Sequence, residues 1–237
     1  MAGAYKRVLL KLSGEILAGA ERFGLNYQPI NEICREIADI AKTGVEIAMV
    51  VGGGNFIRGI QAADQGIERV QADQMGMLAT VINALALQDT LERMGAPTRV
   101  QTAIEMSSIA EPFIRRRAIS HLENGKIVIF AAGTGSPYFS TDTAAALRAS
   151  EINADCLLKA TKVNGIYDKD PVKFQDAEFL PRVSYIDALR MQLKIMDAAA
   201  FSLCMDNRMP IVVFDVSQRG NLAKLMLGGE NIGSTVS

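Results

Sequence analysis

KIVIFAAGTGSPYFSTDTAAALRASE, residues 126–151, sets out the plan of the chain. Lys126–Ala132 is a short apolar run that predicts a buried strand. Gly133-Thr134-Gly135 ends it, and Asp142–Glu151 has the character of a helix. The same order recurs on both sides. Upstream, strand Val8–Leu12 stops at Ser13-Gly14, and a helix follows over Pro29–Lys42. Ile30, Ile33, Ile37 and Ile40 share one face of that helix, Pro29 sits in its first turn and Gly44 ends it. Strand Glu46–Val51 stops at Gly52-Gly53-Gly54. A long helix over Asp73–Met94 carries the apolar stripe Leu78, Val81, Ile82, Leu85 and Leu91, and Gly95-Ala96-Pro97 closes it. A strand over Arg99–Thr102 and a helix over Glu111–Leu122 lead into the opening stretch. Downstream come strand Cys156–Ala160, helix Ile195–Arg208, strand Ile211–Phe214 and helix Asn221–Leu227. Strands alternating with helices predict a mainly parallel sheet covered on both faces, and right-handed crossovers make it a three-layer αβα sandwich. We read residues 1–237 as a single domain of that class.

Composition narrows the function. The 237 residues carry 25 basic and 26 acidic side chains, so the net charge is 25 − 26 = −1. That balance supplies no general attraction for nucleic acid or an anionic membrane. The apolar runs stop short of the ~18 residues that a membrane helix needs. The start of the chain lacks the apolar core of a signal peptide. Cys34, Cys156 and Cys204 are far apart and odd in number, which argues against a disulfide framework or zinc site and for a cytoplasmic location. We expect them to be small buried apolar residues. With one histidine, His121, neither a His-rich metal centre nor a catalytic triad is expected. It reads as a helix-end surface residue, and Arg115-Arg116-Arg117 as a solvated face.

In open parallel sheets ligands bind beyond the carboxyl ends of the strands. This chain places three glycine-bearing turns there: Lys11-Leu12-Ser13-Gly14, Gly52-Gly53-Gly54-Asn55 and Gly133-Thr134-Gly135-Ser136-Pro137. Glycine turns let backbone N–H groups converge on an anion, and a helix start adds positive potential. Each also serves as an ordinary tight turn, but three at one edge point to phosphate. Neither G-x-x-x-x-G-K-[ST] nor G-x-G-x-x-G occurs, so Walker-type and dinucleotide-binding readings fail. Lys11 inside the first strand, Arg58 after the triple glycine, and Lys159 and Lys162 around the end of a later strand are the cations within reach. Phosphoryl transfer needs in-line positioning, charge neutralisation and usually Mg²⁺, which such a cradle could provide.

KLSGE (11–15), GGGNFIRG (52–59), ADQMGMLAT (72–80), AAGTGSPYFSTDTAA (131–145), LLKATKVNGIYDKDP (157–171) and IMDAAAF (195–201) together resemble the bacterial uridylate kinases of the amino acid kinase superfamily. The resemblance runs in order from about Tyr5 to the C-terminus. It implies transfer of the γ-phosphoryl of ATP to UMP with Mg²⁺, a role in pyrimidine nucleotide synthesis, a homohexamer, and often activation by GTP and inhibition by UTP. Carried over motif by motif, Lys11, Leu12, Ser13 and Gly14 line the donor phosphates, with Gly54 and Arg58 toward them. Thr161, Tyr167 and Asp170 form the ATP nucleoside pocket. Gly53 and Asp73 contact UMP, and Thr134, Gly135, Ser136, Pro137, Tyr138, Phe139, Ser140 and Thr141 wrap it. Lys11, Asp142, Lys162 and Asp197 are the catalytic candidates, with metal ligands unassigned. The GTP-responsive segment falls on Gly19, Ala20, Glu21, Arg22, Phe23 and Gly24. The acceptor thus belongs mainly to the N-terminal part and ATP to the part from about residue 155.

Plainer roles stand beside several of these. Tyr138 and Phe139 suit core packing as well as a base. Asp142 and Asp197 suit helix starts as well as lysine or Mg²⁺, and Asp170 suits a turn. Ser136 stands where the family commonly has Asn, and Asn164 where it has Asp. Phe56-Ile57 reverses the usual aliphatic–aromatic order. The competing activities are a carboxylate kinase of the same superfamily and a nucleotide-binding regulator without catalysis.

Overall fold

The structure is a computed structural model that describes residues 5–21, 23–57, 66–228 and 232–237. Eleven strands are described: β1 (Arg7–Leu12), β2 (Glu46–Val51), β3 (Thr98–Thr102), β4 (Glu111–Pro112), β5 (Ile127–Ala131), β6 (Cys156–Thr161), β7 (Ile166–Tyr167), β8 (Phe179–Leu180), β9 (Arg182–Val183), β10 (Ile211–Asp215) and β11 (Ser234–Val236). Nine of them make one sheet in the order β4-β3-β5-β2-β1-β6-β10-β11-β9, and β7 and β8 pair separately. Only the β10–β11 pairing in the large sheet is antiparallel. The helices are α1 (Gly14–Ala18), α2 (Tyr27–Ala41), α3 (Arg69–Arg93), α4 (Arg115–Glu123), α5 (Thr141–Glu151), α6 (Tyr185–Arg190), α7 (Ala198–Asp206) and α8 (Asn221–Leu227).

Strand alternation divides the core into two layers. Val8, Leu10 and Leu12 of β1 pack with α2, α3 and α8 on one face. Leu9 faces the opposite cluster, formed with α4, α5, α6 and α7. The αβα sandwich read from the sequence is therefore the observed class. β5, β2, β1, β6 and β10 lie side by side and run parallel. The turns after β1, β2 and β5 consequently share one edge.

Three sequence readings are corrected. Glu111 and Pro112 form edge strand β4, and the helix begins only at Arg115. Proline is tolerated there because one side of an edge strand makes no ladder. Second, the long helix starts at Arg69, and Leu78 and Ile82 of its expected apolar stripe are exposed, as is Met75. Its buried positions instead include Thr80, Asn83 and Thr90. Third, His121 is not a free surface group, because its Nε2 lies 3.0 Å from Glu111 Oε2. All three cysteines are buried and free. No described helix is long and apolar enough to cross a membrane.

Candidate active site

Residue parity on two neighbouring strands builds the centre of the site. Lys11 of β1 and Lys159 of β6 are Cα partners in parallel register. Both follow a leucine by two residues, Leu9 and Leu157, and those leucines face the α5 layer. The two lysines therefore point into that layer side by side. Such like charges need an anion between them, and the first turn of α5 supplies Asp142. Its Oδ1 lies 2.8 Å from Lys11 Nζ and its Oδ2 2.7 Å from Lys159 Nζ. Lys159 also donates to the Ile195 carbonyl at 2.6 Å. Burial works to raise the Asp142 carboxyl, but the two ammonium groups outweigh it and hold it below the ordinary carboxylate range. Burial lowers Lys159; Asp142 opposes that shift and Lys11 adds to it, and the net direction is down. Asp142 Oδ1 is buried, and the Lys11 ammonium is the charge that faces it.

The start of α5 is fixed from two sides. Ser140 is its N-cap and accepts from the Asp142 and Thr143 backbone N–H groups. Asp197 in turn accepts from the Ser140 and Thr143 hydroxyls, the latter at 3.0 and 3.1 Å, and caps α7 through Ala200 N–H. Asp197 makes no ion pair with the lysines, though its charge works to raise Lys159; it holds the turn that presents Asp142. Thr141 opens α5.

The glycine turns nest together. A Cβ on Gly14 would collide with the Asn55 side chain and come within 2.6 Å of the Gly52 carbonyl and 3.0 Å of Gly54 N. A Cβ on Gly53 would sit 2.6 Å from the Gly76 carbonyl of α3. Ser13 is the N-cap of α1 and makes no side-chain capping bond, so its hydroxyl is available. The Leu12 side chain is in the core and offers a ligand only its backbone. Arg58 and Arg22 lie outside the described residues.

Residues 134–139 form an open loop over the same edge. Ser136 N–H donates to Thr134 Oγ1 at 3.2 Å, and Gly135, at φ +83°, packs on Ala103. Pro137 leads into Tyr138, which has φ 71°. Tyr138 is held there by its N–H donating to Asp73 Oδ2 at 2.9 Å and by the Arg69 guanidinium 5.5 Å from its ring. Arg69 also pairs with Asp73 at 2.8 Å. Tyr138 and Phe139 are 67% and 54% exposed, so neither is a core residue. A large residue in the left-handed region is strained, and here the Asp73 and Arg69 contacts hold it in place.

The other expected donor residues are spread out. Thr161 Oγ1, with one hydrogen to give, lies 2.8 and 3.0 Å from the Val163 and Phe214 carbonyls and closes β6. Tyr167 stacks edge-on against Phe179. Asp170 accepts from Val172 N–H and lies 3.6 Å from Lys173, which is the turn role. Lys162 lines a cavity of about 880 Å³ between α1, α2 and α8, with Val216, Ser217 and Arg219. Lys11, Asp142 and Lys159 do not line that cavity; the chemistry-bearing charges lie on the opposite sheet face. Gly19, Ala20 and Glu15 border it. Glu21 ends a 3₁₀ turn, and Phe23 and Gly24 rest against Phe56 and Asn55.

Residues 6–215 match the model of the amino acid kinase family. The chain belongs to the amino acid kinase family. Within it, solved UMP kinases are close in sequence and in shape. The UMP kinase of Bacillus anthracis is 40% identical with a TM-score of 0.94, covering 98% of this chain and 96% of that one. The UMP kinase of Ureaplasma parvum is 33% identical with a TM-score of 0.92, covering 98% of both. The uridylate kinase of Archaeoglobus fulgidus, 24% identical with a TM-score of 0.75, covers 97% of this chain and 99% of that one and shares the fold.

The resemblance singles out Lys162 for catalysis, whereas the structure pairs Lys159 with Lys11 across Asp142. Counting parity from Leu157 would have found Lys159, since it shares a face with Lys11 once β1 and β6 are neighbours. Thr143 and Asn83 carry no sequence signal beyond being polar within helices, and Asn55 none beyond its place in the triple-glycine turn.

Proposed function

We propose that this chain is a UMP kinase, transferring the γ-phosphoryl of ATP to UMP to give UDP and ADP in pyrimidine nucleotide synthesis. The observation that carries the reading is the Lys11–Asp142–Lys159 cluster at the strand edge where the Ser13–Gly14 and Gly52–Gly54 turns nest together. A phosphate oxygen of UMP attacks the γ-phosphorus as the bond to the ADP oxygen breaks. The acceptor is already anionic near pH 7, so no strong base is required. Asp142, ionised and flanked by cations, orders the lysines instead of accepting a proton. As phosphate arrives, Lys11 and Lys159 neutralise the oxygens of the moving group. Asp197 acts by position, through Ser140 and Thr143.

The acceptor site lies over residues 134–141, with Gly53 and Asp73; Asp73 exchanges the Tyr138 N–H for UMP hydroxyls. ATP lies across Lys11–Gly14 and Gly54 toward Thr161, Lys162, Tyr167 and Asp170, over the part of the chain from about residue 155. Among the described residues no group of three or more His, Cys, Asp or Glu is arranged to hold a metal. A carboxylate held by two ammonium groups is a poor ligand, so these residues do not form a protein cage for Mg²⁺. The ion would ride on the ATP phosphates and reduce their charge, as it does where phosphates and water supply most ligands.

The exposed stripe Met75, Leu78 and Ile82 on α3 supports self-association, and we take the assembly to be a homohexamer. In this reading GTP activates it through residues 19–24 and UTP inhibits it. Coupled assays with UMP, CMP, acetylglutamate and carbamate test the activity. Turnover of UMP with Mg·ATP is expected; its absence rejects the reading, and turnover of a carboxylate instead favours the rival kinase. Sedimentation showing only monomer at micromolar concentration rejects the assembly.

A further inference from the structure

Asn55 and Asn83 form a buried polar network that the reaction scheme leaves unused. Their side chains lie in the core, 1% and 0% exposed. Each amide donates to the other, at 2.9 Å and 2.7 Å. The remaining hydrogen of Asn83 goes to the Gly52 carbonyl at 2.7 Å, and that of Asn55 to the Gly24 carbonyl at 2.8 Å. All four amide hydrogens are therefore spent, which is the condition under which such a pair is tolerated in a core. Gly24 N–H returns a bond to the Asn55 carbonyl at 2.9 Å, and the Phe23 ring meets Phe56 edge-on at 5.9 Å.

The position of this network matters. Asn55 Oδ1 and the Gly52 carbonyl lie directly against Gly14, so the pair forms the floor under both the Ser13–Gly14 and the Gly52–Gly54 turns. Backbone N–H groups can converge on phosphate only if these two turns keep their spacing. Apolar side chains at 55 and 83 would leave the Gly52 carbonyl unpaired and the two turns joined there only by the Gly52 N–H bond to the Leu12 carbonyl at 2.9 Å. Asn83 sits on α3 beside Thr80, whose hydroxyl accepts the Ala132 N–H at 2.8 Å. One helix thus braces the turns after β2 and β5.

We infer that the Asn55–Asn83 amide exchange is a positioning device for the polyphosphate of the nucleoside triphosphate, and that it mechanically joins residues 23 and 24 to the donor-phosphate turns. The inference rests on the kinase reading above. It predicts that Asn83→Ala raises KM for ATP about tenfold, the scale of one or two lost buried hydrogen bonds, with KM for UMP changed less than about threefold. Asn83→Thr keeps a hydroxyl for the Gly52 carbonyl but loses the exchange with Asn55, and gives an intermediate KM for ATP. Phe23→Ala, at a 68% exposed ring outside the core, raises KM for ATP about two- to fivefold.

Steady-state kinetics on both substrates, with thermal melts of each variant, decide the matter. A purely structural role lowers the active fraction, and hence kcat, without moving either KM. Equal shifts in both KM values, or an unchanged KM for ATP in folded Asn83→Thr and Phe23→Ala, overturn the inference. If both Asn83 variants fail to fold, Phe23→Ala decides it alone. Failure of the wild-type protein to phosphorylate UMP overturns the kinase reading itself, which separates the two outcomes.

Discussion

Replacing Asp142 by Asn removes one charge and leaves two. At an effective dielectric near 20, a unit charge pair at about 2.8 Å is worth roughly 6 kcal/mol. Asp142 makes two such contacts, at 2.8 and 2.7 Å, so the gross loss is about twice that. Recovering the desolvation cost of the carboxylate offsets most of it. Breaking a buried pair by deleting one partner costs about 3–5 kcal/mol net, and two orphaned ammonium groups place this site at the upper end. For a chain of this size, 1 kcal/mol shifts Tm by about 2–4 °C, so a loss of about 5 kcal/mol gives an expected fall of about 10–20 °C. The cause is like-charge repulsion between Lys11 and Lys159, whose strands lie about 4.8 Å apart. The double variant Asp142→Asn/Lys159→Met should therefore melt above Asp142→Asn. Its activity should stay low, because a cation of the transfer site has gone. Differential scanning calorimetry and a coupled UDP assay measure both. If Asp142→Asn melts within 2 °C of wild type, or the Lys159→Met addition lowers Tm further, the electrostatic account of this cluster is wrong.

Three further outcomes follow from the same geometry. Lys11→Ala should lower kcat by several orders of magnitude while UMP binding, measured by calorimetry, largely survives; near-normal kcat removes Lys11 from the chemistry. Gly53→Ala should destabilise the protein by about 1–3 kcal/mol, because its Cβ would meet the Gly76 carbonyl and Ala79 Cβ at 2.6 and 2.9 Å; an unchanged urea midpoint refutes that packing. The Asp142 carboxyl is depressed in the folded state, so its stability contribution is fully present above the unfolded value of about 3.9 and is lost as pH falls through the lower folded value. The difference in urea midpoint between wild type and Asp142→Asn should hold steady from about pH 5 to 7 and shrink only below about pH 4; a decline between pH 5 and 7 contradicts the assigned direction.

The layered architecture was legible because the central strands are short, largely apolar runs, and glycine turns end β1, β2 and β5. Buried on both faces, such strands show their class without alternation. The short elements were not legible. β4, β7, β8, β9 and β11 are two or three residues long, too short to carry a period, and α1 and α6 are helices of five and six residues. Helix α3 misled the reading in another way. Its exposed Leu78 and Ile82 look like core, while Thr80 and Asn83 are in fact buried because they serve neighbouring loops. A helix that braces two turns on one side and presents an apolar stripe on the other has no simple amphipathic pattern.

Sequence determined the identity and order of the turns: which residues end each strand, where glycine allows backbones to touch, and which motifs the chain shares with its family. These are local properties, set by residue type and spacing. Only the tertiary structure decided which charges meet. Lys159 faces Lys11 because β6 lies against β1 in a particular register, and Asp142 reaches both because Asp197, 55 residues further on, ties down the first turn of its helix. Strand order and register arise from packing across the whole sheet, so no window of sequence contains them.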